Sequence, residues 1–161
     1  MLRLIALLLL LAAPNTPAQT MSHSVGSSCT LKELMRAWQR PPASFPTFTG
    51  IVDTDVRAQV EQPYRVVLNA CVRDGCKPNS FEGAFPVEIR TPGRYRIAID
   101  QPAWIDVIGD SGKIEGLLCE HTGCNPIRKI VQFELPAGRH WLHLSAAFQA
   151  EVGFLVAPAI D

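Results

Sequence analysis

The sequence predicts a mainly β protein, an antiparallel β-sandwich carrying one short N-terminal helix. Three observations predict it. Apolar residues alternate with polar ones in segment after segment from Tyr64 to Val156. Gly- and Pro-centred turns separate these segments at intervals of roughly 8 to 12 residues, the spacing of short sandwich strands. No helical pattern is long enough to serve as a crossover between parallel strands, which disfavours a βαβ architecture. Jelly-roll and immunoglobulin-like arrangements both satisfy these constraints.

The first residues read as a targeting segment. Met1-Leu2-Arg3 supplies one positive charge, Leu4 to Ala13 is unbroken apolar sequence, and Pro14-Asn15-Thr16-Pro17-Ala18 is a turn-prone exit. This is the layout of a secretory signal peptide covering 1–18, with cleavage expected before Gln19. The apolar run is roughly 10 residues, whereas a membrane-spanning helix needs about 20. A periplasmic or secreted location is therefore expected, with no membrane span in the mature chain. Residues 19–29 are Ser-rich and form a lead-in, and 30–161 form one domain. The 161-residue sequence carries 15 basic and 15 acidic side chains, removal of Arg3 leaves 14 against 15, and no basic stripe exists. Nucleic acid is accordingly not expected as a partner.

Thr30-Leu31-Lys32-Glu33 matches a capping box, in which Thr30 caps the Glu33 amide and Glu33 reaches back. Leu31, Leu34, Met35 and Trp38 then repeat at i, i+3, i+4, i+7, one apolar helix face. Pro41-Pro42 ends that helix. Strand patterns follow at Tyr64/Val66/Leu68, Phe85/Val87/Ile89, Tyr95/Ile97/Ile99 and Trp104–Ile108. Further ones lie at Val131/Phe133/Leu135, Leu142/Leu144 and Val152/Phe154/Val156. Pro92-Gly93, Gly109-Asp110-Ser111-Gly112 and Pro136-Ala137-Gly138 supply the turns between some of them.

Five cysteines lie beyond the signal segment: Cys29, Cys71, Cys76, Cys119 and Cys124. Cys71-Val-Arg-Asp-Gly-Cys76 and Cys119-Glu-His-Thr-Gly-Cys124 share one spacing, and each interval holds a Gly that lets the chain bend back. In an oxidising compartment this predicts two local disulfides, Cys71–Cys76 and Cys119–Cys124. Cys29 is then free, intermolecular, or the partner of one of the four.

The chemistry-bearing residues divide into two sets. Cys119, His121 and Cys124 are the densest group of soft ligands and would suit Zn(II) or Cu(I) with a fourth donor such as His140 or Cys29. That reading excludes a Cys119–Cys124 disulfide. The second set is a ligand or partner surface. Trp104 with Asp106 offers an aromatic platform and a hydroxyl acceptor to a sugar, although Trp104 also suits the core. Arg128 and Lys129 suit an anion or an acidic partner. Trp141 and His143 share a strand face opposite Leu142 and Leu144, so an inward Leu face would leave Trp141 exposed to a partner. No Gly-x-Ser-x-Gly elbow and no His-Glu-x-x-His occurs, and no catalytic grouping stands out.

The stretch Gly93-Arg-Tyr-Arg-Ile-Ala-Ile99 through Ala103-Trp-Ile-Asp-Val107 carries a resemblance, together with Cys124-Asn-Pro-Ile-Arg-Lys129 and Phe133-Glu-Leu-Pro-Ala-Gly-Arg139. Over roughly 85–157 the chain resembles small exported proteobacterial proteins that often bear the label homogentisate 1,2-dioxygenase. That label implies Fe(II) held by two His and one carboxylate. The chain has His23, His121, His140 and His143, and the last two, three apart on a strand, point to opposite faces. The leading expectation is therefore a non-catalytic exported binding protein for an envelope partner, carbohydrate or small ligand. A metal-binding protein using Cys119/His121/Cys124 comes second, and a metal-dependent dioxygenase third.

Overall fold

The computed structural model describes residues 31–159. The expected signal segment, the lead-in with His23 and Cys29, and Thr30 lie outside the described residues. Helix α1 (Lys32–Trp38) comes first, followed by β1 (Ala43–Ser44), β2 (Tyr64–Val67), β3 (Asn69–Ala70) and β4 (Phe81–Ile89). Then come β5 (Gly93–Ile99), β6 (Trp104–Gly109), β7 (Gly112–Ile114), β8 (Leu118–His121), β9 (Lys129–Leu135), β10 (Gly138–Ala147) and β11 (Glu151–Pro158). They form two sheets, ordered β1-β2-β11-β5-β9-β8 and β3-β4-β10-β6-β7. All pairings between strands are antiparallel except the short β1–β2 pair. The expected β-sandwich is the observed architecture.

Period-2 alternation explains the main core. The residues predicted to face inward, Val66, Phe85, Val87, Ile89, Ile97, Ile99, Val131, Phe133, Leu135, Leu142, Leu144, Val152, Phe154 and Val156, are all buried between the sheets. Phe154 stacks on Tyr64 with ring centroids 5.2 Å apart and lies 5.0 Å from Phe85, which makes an aromatic spine across the sandwich. Full burial of an aromatic ring of this kind is worth a few kcal/mol.

A smaller cluster covers the outer face of the six-stranded sheet. Leu34 and Ala37 of α1 pack on Ala98, Ile127, Ile130, Leu155 and Ala157, flanked by Leu31, Met35 and Trp38. The predicted apolar helix stripe is thus the packed stripe. Of the expected capping box, only the Glu33 half falls within the described residues. Thr30 lies outside the described residues, Leu31 occupies the cap position without a side-chain hydrogen bond, and Glu33 pairs with Arg36 at 3.2 Å.

Between β1 and β2 the chain runs over the other sheet. Phe48 bridges Ala84, and Ala58 bridges Val87, so this segment occupies the free edge of β4. Between those two anchors, Ile51, Val52 and Asp53 lie across the outer face beside Ile108, Arg139 and Trp141. Arg139 Nη2 donates to the carbonyls of Val52 and Thr54 at 3.2 and 2.9 Å. These bonds tie the crossing segment to β10.

Candidate ligand face and sulfur chemistry

The outer face of the five-stranded sheet gathers most of the polar chemistry. In the ladder of β10 with β6, Trp104 stands opposite Ser145, Asp106 opposite His143, and Ile108 opposite Trp141. Directly opposed side chains on one sheet face have Cβ atoms about 4.5–5.5 Å apart. Trp104, Asp106, Trp141 and His143 therefore share one surface, four of the six residues read from the sequence as a ligand face.

Their exposure differs from expectation at both tryptophans. Trp141 is only 5 % exposed and Trp104 is 66 % exposed. The inward Leu face is confirmed at Leu142 and Leu144, yet Trp141 is not left open, because the crossing segment covers it. Phe48 meets its ring edge-on at 5.8 Å, and the Arg139 guanidinium lies 5.6 Å from its centroid. Trp104 lies beyond the reach of that cover, at the start of β6, and does not fill the core.

The remaining two members of the set are split. Arg128 is exposed in the loop before β9. Lys129 is buried: its ammonium donates to the Ala103 carbonyl at 2.7 Å and lies 5.1 Å from the Trp104 ring centroid. Burial pushes the Lys129 pKa down, opposed by the neighbouring Cys119 and Asp106. Lys129 is buried and Trp104 is not, so this cation–π contact still leaves most of the indole in solvent. Asp106 accepts from Lys113 at 2.8 Å, and that contact raises the Lys113 pKa.

On the other side of His143 lies an ion cluster that the sequence did not suggest. Arg73 grips Glu82 with a forked pair of bonds, Nε at 3.0 Å and Nη2 at 2.7 Å, and His143 Nε2 lies 3.4 Å from Glu82 Oε2. Glu82 is buried, and the Arg73 hydrogen bond holds its carboxyl below the usual range against the opposing cost of burial. Arg73, Glu82, His143, Ala84, Ile108, Trp141 and the 49–51 segment border a cleft of about 210 Å³. Glu82 sits at the start of β4, ahead of the alternating stretch, and no spacing signal marks it as paired.

The sulfurs also depart from expectation in part. Cys71–Cys76 is a disulfide with Cα atoms 5.8 Å apart. Cys119–Cys124 is not: Cys119 is a free, buried thiol, and Cys124 is disulfide-bonded without it. The reason is extension. Cys119 lies in strand β8 opposite Val131, and the strand continues to His121 opposite Lys129. At about 3.3 Å per residue, that extended backbone carries the following loop away from Cys119. In the first segment Gly75 adopts φ +84 and the chain turns back instead. With Cys124 in a disulfide, the soft-ligand trio Cys119, His121, Cys124 is short of one thiolate.

The iron site implied by the dioxygenase resemblance does not fit the described residues. His140 is buried, its Nε2 2.8 Å from the Pro136 carbonyl, whereas His143 faces Glu82 on the opposite side of the same strand. Among the described residues, one group of three His, Cys, Asp or Glu donors converges, namely Cys71, Cys76 and Glu82. No family model matches the chain, and no curated protein does.

Proposed function

We propose that this protein is an exported, non-catalytic binding module whose ligand is a carbohydrate, held on the outer face of the five-stranded sheet. The observation that carries the reading is Trp104, a large aromatic side chain 66 % exposed on the same face as Asp106 and His143. An indole that touches a buried ammonium and is still largely exposed offers flat apolar surface to solvent. The apolar C–H face of a sugar ring suits such a surface. Asp106, two residues along β6, and His143, opposite it on β10, supply acceptor and donor atoms for hydroxyl groups. The mixed charges of the face (Arg73, Glu82, Asp106 and Lys113) are largely paired with one another. That balance favours a neutral polar ligand over a strongly charged one. An apolar protein partner would require a contiguous apolar patch, and the face is polar around Trp104.

Export is part of the proposal. The Cys71–Cys76 disulfide is compatible with an oxidising compartment, and no helix among the described residues is long and apolar enough to cross a membrane. Titration with soluble peptidoglycan fragments and with malto-, cello- and chito-oligosaccharides, followed by tryptophan fluorescence and calorimetry, tests the ligand class. Binding to at least one of them, lost in Trp104→Ala and weakened in Asp106→Asn, is the expected result. Binding unchanged in Trp104→Ala, or none to any glycan, would reject it.

A further inference from the structure

We infer that reduction of the Cys71–Cys76 disulfide uncovers a zinc-type metal site built from Cys71, Cys76, Glu82 and His143. The two sulfurs and a Glu82 carboxylate oxygen already lie within 4.8 Å of one another. His143 Nε2 is 3.4 Å from Glu82 Oε2. Ligand atoms around a tetrahedral zinc, at bond lengths of about 2.0–2.3 Å, are separated by about 3.3–3.8 Å. The nitrogen–oxygen pair has that separation now, and the loop that carries the sulfurs must shift to bring both of them equally close to His143. Two thiolates, one imidazole and one carboxylate form a donor set suited to Zn(II), which accepts all three ligand types.

The fold divides this site into a fixed half and a releasable half. Glu82 and His143 stand on β4 and β10, paired strands in one sheet, with His143 opposite Ala84 in the register. Both cysteines and Arg73 belong to the small loop that the disulfide closes. In the oxidised protein the Arg73 guanidinium supplies the positive charge that the buried Glu82 carboxylate requires. Opening the disulfide frees the same loop that carries this guanidinium, and a divalent ion takes over its neutralising role. Cys71 and Cys76 are half-buried and Val72 between them is 92 % exposed, so the bond lies within reach of a thiol reductant.

The steps balance. A small-molecule or protein dithiol transfers two electrons and two protons to Cys71–Cys76, giving two thiols and the oxidised dithiol. Zn(II) then binds both sulfurs as thiolates, with two protons released, together with the ionised Glu82 carboxylate and the neutral His143 imidazole.

Cobalt(II) titration of the full protein, with and without prior reduction and anaerobic removal of the reductant, tests this. The reduced protein should bind one equivalent, with a thiolate-to-cobalt charge-transfer band and the visible bands of a tetrahedral ion, and the oxidised protein none. Glu82→Gln and His143→Gln should each weaken binding at least tenfold, whereas Cys119→Ala and His121→Ala should leave it unchanged. If reduction loosens the sheet, cobalt should restore the native circular dichroism. Failure to restore it, no binding by the reduced form, or binding that survives Cys71→Ser/Cys76→Ser would overturn the inference.

Discussion

Replacement of the two sheet-face tryptophans separates their roles. Trp141 is 5 % exposed, so nearly all of its surface is removed from water. An aromatic side chain of this size buries about 240 Å², worth about 6 kcal/mol at 25 cal/mol per Å² and about 4 once a compact unfolded chain is allowed for. Trp141→Ala also removes the Phe48 and Arg139 contacts, and opens the cleft of about 210 Å³ into its neighbour of about 410 Å³. Trp104, 66 % exposed, buries only about a third as much, so Trp104→Ala should cost about 1–2 kcal/mol. In a domain of this length the first loss lowers Tm by about 8–16 °C and the second by about 2–8 °C. Urea unfolding followed by circular dichroism measures both. Hydrogen exchange should show faster exchange across residues 48–58 in Trp141→Ala and unchanged exchange there in Trp104→Ala. A Trp141→Ala protein within 1 kcal/mol of the parent would refute the covering role of that segment.

Three further outcomes are expected. In Gly153→Ala the new Cβ would stand 2.8 Å from Asp100 Oδ2 and 3.1 Å from Trp38, displacing the carboxylate that accepts from the Gly153 amide and from Arg65. A loss of about 1–3 kcal/mol by urea unfolding is expected, and an unchanged midpoint would contradict the packing described. The Glu82 carboxyl is held below its unfolded value, so its contribution to stability is present above about pH 4.3 and disappears as pH falls through the lower folded value. Glu82→Gln should therefore flatten the acid limb of the stability–pH curve relative to the parent, and superimposable limbs would refute the Arg73 grip. Finally, alkylation of the unreduced protein, mapped by mass spectrometry, should label Cys119 slowly when native and rapidly in denaturant. Labelling of Cys71 or Cys76 without reductant would contradict the disulfide.

What the sequence disclosed follows from what has a period. Val66, Phe85, Ile97, Phe133, Leu144 and Phe154 sit on alternating positions, and alternation decides which face of a strand meets the core. Trp141 and Trp104 are alternation-compatible with the outer face as well, but their burial depends on where the 49–57 segment crosses. That segment has no period, and neither Phe48 just before it nor Ile51 within it carries a mark of its destination. The two Cys-x4-Cys intervals show the same limit. Their spacing is identical, yet one lies in a turn and the other begins inside an extended strand, so one closes and the other does not. Glu82 was invisible for a related reason: its partners Arg73 and His143 reach it from a loop and from a strand some 60 residues away.

The order of the six-stranded sheet has a consequence for how the polypeptide comes off a ribosome. Its central seam, where Phe154 meets Tyr64 and Ile99, is filled by the strand emerging after all the other described ones. Until that piece is delivered, the two halves of the layer have no shared ladder, and Val152, Phe154 and Val156 are missing from the interior. A nascent chain stopped near Ala150 lacks the strand that joins those two halves, so this layer closes only after β11 has been made.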